Sequence, residues 1–111
     1  MKLVIAYINP FKLDEVRDAL KESVGGLSAG NVQGFGRQGG HTETYRGAEY
    51  EVQFVPKIRV EVIVDDADVA GVVAKIEETA RTGQTGDGKI AVLPVEEIVR
   101  IRTGERGPDA L

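Results

Sequence analysis

Between two stretches that read as β-strands lies GFGRQGGHTETYRGAEYEVQFVPK, Gly34 to Lys57, polar and glycine-rich at its start. This interval limits the possible folds more than any other feature. A compact domain seldom keeps a structureless connection of more than about 12 to 15 residues unless that connection is functional or disordered. The segment holds the only histidine, His41, and two tyrosines, Tyr45 and Tyr50. The expectation is a small core that displays a long loop whose shape a ligand controls, with the Arg46 to Tyr50 run offering a phenol to solvent. Tyr50, Val52 and Phe54 also alternate with Glu51 and Gln53, so a β-ribbon rising from the core is an equally open reading.

Around that interval the remaining chain is regular. Leu3 to Ile8 reads as a strand with apolar residues on both faces, ended by Asn9-Pro10. Leu13, Val16, Leu20 and Val24 recur at helical spacing, with Asp14 and Glu15 in the first turn and Gly25-Gly26 as the stop. Leu27 to Phe35 is a poor strand by propensity, since Gly30, Asn31 and Gly34 weaken it, and the pattern around it is what requires one. Ile58, Val60, Val62 and Val64 alternate with Lys57, Arg59, Glu61 and Ile63, a clear period of two. Asp65 or Asp66 can cap a second helix with the stripe Val69, Val72, Val73, Ile76 and Ala80, stopped by Gly83. Lys89 to Leu93 and Val99 to Arg102 complete the strands. The order βαββαβ is the ferredoxin-like α+β arrangement, with an antiparallel sheet and both helices on one face. The other face is then bare, and its apolar residues predict a homo-oligomer built sheet to sheet.

The 111 residues suit one domain spanning 1–111. Without cysteine there is no disulfide and no thiolate metal site. The opening MKLVIAYINP is too short, and too soon broken by Pro10, for a leader or a membrane span, so a cytoplasmic location and no membrane insertion are expected. A net charge of −4, from 18 acidic and 14 basic residues, argues against a general nucleic-acid surface. Gly34-Phe35-Gly36 faintly echoes an RNA-binding motif, but Ile58 to Val64 carries none of the aromatics that motif needs.

Gly83-Gln84-Thr85-Gly86-Asp87-Gly88-Lys89 resembles a phosphate-binding turn, yet Ile90 stands where a P-loop needs Ser or Thr, and helix-loop-strand is the wrong order for a P-loop enzyme. A phosphate cradle stays open beside the plainer reading of a Gly-rich turn with a solvated lysine. Alternation on a strand would put Arg100 and Arg102 on one face about 6.6 Å apart, with Val99 and Ile101 packed inward. Two such guanidinium forks suit a polyphosphate, and a solvated basic edge is the alternative. His41 stands alone between Gly40 and Thr42 and reads as a loop histidine rather than a catalytic base. A small phosphate-ester enzyme, a phosphotransferase or phosphatase, is the alternative to a binding protein.

Taken together, Pro10 to Asp14, Gly34 to Gln38, Gly40 to Glu43, Tyr45 to Tyr50, Thr82-Gly83, Gly86 to Lys89 and Arg100 to Glu105 make the chain strongly similar to the PII signal-transduction proteins of nitrogen metabolism. The resemblance implies a homotrimer that is not an enzyme, with ATP or ADP between subunits, a long T-loop, a B-loop at Thr82 to Lys89 and a C-loop from Arg100. It implies nucleotide contacts from Gly34, Phe35, Gly36, Arg37, Gln38, Ile63, Thr82, Gly86, Asp87, Gly88 and Lys89, with Ser28 and Glu61 at base and ribose and Arg100 and Arg102 from the neighbouring subunit. Gln38 would ligate Mg²⁺, Gln38, Gly39 and Lys57 would take 2-oxoglutarate, and Tyr50 would be the modified tyrosine. The targets implied are an ammonium transporter, a nucleotidylyltransferase or another nitrogen-metabolism protein. The chain departs from the family pattern at Asn9 for Lys or Arg, Gly39 for Lys, and Gln84-Thr85 for a basic-apolar pair, and the segment between the first helix and the second strand is one residue short.

Overall fold

The computed structural model describes residues 1–36, 43–45, 48–50 and 54–111. Its elements are β1 (Lys2–Ile8), α1 (Leu13–Leu20), β2 (Ser28–Gly34), β3 (Glu43–Tyr45), β4 (Ala48–Tyr50), β5 (Val55–Val64), α2 (Val69–Ala80) and β6 (Lys89–Pro94). Four strands form one antiparallel sheet in the order β2-β5-β1-β6, the ferredoxin-like α+β fold, and β3 pairs with β4 as a separate ribbon. The interval 34–57 therefore contains paired strands, with Glu43 opposite Tyr50 and Tyr45 opposite Ala48.

The period of two in β5 has a direct structural consequence. Val4, Ala6 and Ile8 of β1 stand opposite Val62, Val60 and Ile58, and directly opposed residues share a face. That face is buried under Val16 and Leu20 of α1 and Val72, Ile76 and Ala80 of α2. A short turn, Asp66–Asp68, leads into α2, and the Asp65 carboxylate caps it by accepting the Asp66 N–H at 2.9 Å.

Two expectations need correcting. α1 ends at Leu20 rather than running to Val24, because the Leu20 carbonyl accepts both Ser23 N–H (2.8 Å) and Val24 N–H (3.1 Å) and closes the last turn early. Val24 still packs on the core, delivered by the turn instead of the helix. The second correction concerns Val99 to Arg102, which form no strand. Val99 bridges to Arg106, Arg100 N–H donates to the Glu105 carbonyl (2.9 Å), and Gly104, with φ +75°, donates to the Arg100 carbonyl (2.7 Å). The chain folds back on itself instead of adding to the sheet. Ile101 is 98 % exposed rather than packed inward, and Arg100 and Arg102 do not share a strand face.

The face away from the helices carries Leu3, Ile5 and Tyr7 beside Ile63, Glu61, Arg59 and Lys57 of β5 and Leu93, Ala91 and Lys89 of β6. Tyr7, Ile63 and Leu93 are each more than a third exposed. At its centre the Arg59 guanidinium lies 5.9 Å from the Tyr7 ring centroid. Arg59 Nε and Glu61 Oε1 are 2.7 Å apart, close enough for an ion pair, but the angle is poor and the buried Nε makes no hydrogen bond among the described residues.

Candidate functional site

One end of the sheet gathers the C-termini of β1 and β2 and the N-termini of β5 and β6, through the pairs Ile8–Ile58, Gly34–Val55 and Tyr7–Lys89. The turn between α2 and β6 closes over this end. Three of its glycines have left-handed backbone: Gly83 (φ +86°), Gly86 (+96°) and Gly88 (+108°). At Gly88 the need is absolute, since a Cβ there would lie 1.7 Å from the Tyr7 carbonyl oxygen. Only glycine lets the turn meet β1.

Asp87 shapes the other half of the turn. Its carboxylate accepts the Thr82 hydroxyl (2.5 Å), the Thr82 N–H (2.8 Å) and the Gly83 N–H (2.9 Å). The Thr82 hydroxyl foremost, then these backbone donors, hold its pKa below the usual aspartate value. Thr82 and Asp87, both expected at the nucleotide, therefore also build the turn that carries the glycines.

Lys57, near the start of β5, reaches toward this turn. Its ammonium donates to Asn9 Oδ1 at 2.7 Å and to the Gly86 carbonyl. Its stem passes Gly34, where a Cβ would sit 3.7 Å from Lys57 Cγ. Lys57 and Lys89 line a cavity of about 860 Å³ together with Tyr7, Val32, Gln33, Gly34, Phe35, Gly36, Val55, Gln84, Gly86, Asp87 and Gly88. Phe35 and Phe54 meet edge to face at 5.5 Å, at the two ends of the interval that carries β3 and β4. A second, smaller cavity of about 420 Å³ opens between α2 and β6.

Of the residues expected from sequence, Gly34, Phe35, Gly36, Lys57, Gly86, Asp87, Gly88 and Lys89 converge on the larger cavity. Ser28 and Glu61 stand opposite each other on the bare sheet face, and neither they nor Ile63 line it. Arg100 is bound to the Glu105 carboxylate and to the Leu111 carbonyl, both at 2.9 Å, and Arg102 is exposed in the C-terminal turn. Arg37, Gln38, Gly39 and His41 lie outside the described residues, as does the Tyr50 side chain, although its backbone is part of β4. Sequence reasoning missed Tyr7 and Asn9 as site residues. Tyr7 had a signal, because alternation puts it on the face of Lys57. Asn9 had none, since it reads as a strand terminator 48 residues from the lysine it meets.

Two lysines and a glycine turn at one sheet end, beneath the roots of a long interval, suit an anionic ligand more than a peptide groove. Comparison with known proteins gives the same chemistry a family. The model for "Nitrogen regulatory protein P-II" matches residues 1–105. Proteins of that name from Azospirillum brasilense (55 % identical), Rhodospirillum rubrum (54 %) and Nostoc punctiforme (54 %) align over 112 positions that cover all of this chain and all of each relative. The agreement therefore extends through sheet, turn and C-terminal segment alike, and the chain belongs to the nitrogen regulatory protein P-II family.

Proposed function

We propose that this chain is a nitrogen-signalling sensor that binds ATP or ADP together with 2-oxoglutarate and uses residues 34–57 to grip or release target proteins, without catalysing a reaction itself. One observation carries this reading: Lys57, Lys89 and the glycine turn converge in one cavity at the root of that segment. The phosphates would lie along the distal half of the turn, Gly86 to Lys89, because Asp87 already engages the Thr82 and Gly83 amides. Lys57 would take a carboxylate of 2-oxoglutarate, with Gln38 and Gly39 completing its contacts.

The charged donors of the cavity, two lysines, suit anions, and its described carboxylate, Asp87, is engaged by the turn. Mg²⁺ would therefore arrive on the phosphates and gain Gln38 as a protein oxygen, where it supplies charge neutralisation. The bare sheet face would pair with two further copies in a homotrimer. Arg100 and Arg102 would then reach a neighbour's cavity, while Ser28, Glu61 and Ile63 would meet base and ribose. Tyr50 would be the site of nucleotidylylation, and an ammonium transporter, a nucleotidylyltransferase or another nitrogen-metabolism protein in the cytoplasm would be the target. Titration calorimetry with ATP and 2-oxoglutarate, run beside a phosphate-release assay, tests this. Binding of both without turnover is expected. Rapid phosphate release would favour a phosphate-ester enzyme instead.

A further inference from the structure

Asn9 lies between β1 and the short turn Pro10–Lys12, and its carbonyl accepts the Lys12 N–H at 2.9 Å, so its backbone is anchored. Its side-chain oxygen holds the Lys57 ammonium at 2.7 Å, in a half-buried position. The amide orientation follows from chemistry, since an ammonium offers only donors and must meet oxygen. The second acceptor, the Gly86 carbonyl, belongs to the turn between α2 and β6. One ammonium thus joins three segments of the chain.

Both of these acceptors are neutral. Several other cations are paired with carboxylates instead, among them Lys12 with Glu15, Arg59 with Glu61, and Arg100 with Glu105. A carboxylate cancels a lysine's charge, whereas an amide oxygen fixes its position and leaves the charge in place. Among the described residues the ammonium directs two of its three hydrogens to fixed oxygens, which leaves the third for an anion. A long side chain already ordered on folding loses less freedom when ligand binds.

We infer that Asn9 is a positioning residue for anion capture, holding the Lys57 ammonium on the Gly86 carbonyl so that a ligand carboxylate meets a fixed, still charged donor. This rests on the reading above that Lys57 receives a carboxylate of 2-oxoglutarate. It also supplies a physical link between ligands, because a nucleotide that shifts Gly86 shifts the ammonium with it.

Two substitutions separate positioning from support of the fold. Asn9→Ala removes the acceptor and should weaken 2-oxoglutarate, titrated into protein with Mg²⁺ and ATP, by about 3- to 10-fold, the weight of one hydrogen bond. Asn9→Asp keeps size and acceptor but cancels the charge, and should weaken it by about 30-fold or more. A merely structural role predicts the reverse order, with Asp close to wild type. In a Lys57→Ala background Asn9→Ala should weaken binding no further. A ligand-free readout uses an amine-reactive acetylating reagent and peptide mass spectrometry. Lys57 should label several-fold faster in Asn9→Ala than in wild type, and more slowly in Asn9→Asp. Unchanged labelling, or an Asp variant that binds 2-oxoglutarate as wild type does, overturns the inference. If wild type itself binds no 2-oxoglutarate, the functional reading fails, and the labelling rates alone then decide whether Asn9 positions the ammonium.

Discussion

Gly88 is the residue at which the site tolerates least. Gly83→Ala meets only left-handed backbone strain, with nothing within 4 Å of the new methyl, and should lower stability by about 1 to 2 kcal/mol. Gly88→Ala adds a collision with the Tyr7 carbonyl and should lower it by more than about 4 kcal/mol. Urea denaturation of the two variants checks this, and equal losses would mean that the turn does not rest on β1. Asp87 makes a second residue-level prediction. Its folded pKa is depressed below 3.8, so the contribution of its ionised form is complete above the unfolded value and is lost as pH falls below 3.8 through the folded pKa. Carboxyl-carbon NMR should show a midpoint below 3.8, with the Thr82 and Gly83 amide signals moving in the same titration. A midpoint above 3.8 would contradict the capping role.

The elements differ in how plainly the sequence announced them, for physical reasons. β5 and α2 were legible because burial on one face imposes a period of two on Ile58 to Val64 and of 3.6 on Val72, Ile76 and Ala80. The same burial predicts that Ile76→Ala, emptying a fully enclosed position, lowers unfolding free energy by about 2 to 5 kcal/mol. Ile101→Ala, at a 98 % exposed position, should stay within about 0.5 kcal/mol of wild type in the same thermal or urea experiment. β2 formed where expected despite its glycines, because the ladder with β5 supplies what propensity lacks. Val99 to Arg102 carried alternation without burial, so local bonds to Glu105 and Arg106 decided its shape. The glycine turn was legible as a possible phosphate site, but the work of Asp87 within it was not. The Asn9–Lys57 contact was invisible, since it depends on β1 and β5 ending side by side rather than on any spacing along the chain.

For the whole molecule, the proposal joins two surfaces: the bare face with Tyr7, Ile63 and Leu93, and the cavity at the end of the same sheet. If copies pack through that face and Arg100 and Arg102 complete a neighbour's cavity, nucleotide binding should require assembly. Ile63→Glu places a charge at that packed face and should yield monomers in sedimentation with ATP affinity lowered at least about tenfold. A monomer that binds ATP with wild-type affinity would contradict the shared site. In this reading Lys57 couples the two effectors through one cavity. Because 2-oxoglutarate would hold the metal of Mg²⁺ and ATP at one end and Lys57 at the other, the two ligands must favour each other by equal factors. Calorimetry of 2-oxoglutarate into wild type and Lys57→Ala, each alone, with Mg²⁺ and ADP, and with Mg²⁺ and ATP, measures this directly. Tight binding to wild type is expected only with Mg²⁺ and ATP, weakened by about 2 to 5 kcal/mol in Lys57→Ala, while ATP measured alone changes far less. Tight binding of 2-oxoglutarate without nucleotide, or equal losses for both ligands in Lys57→Ala, would contradict it.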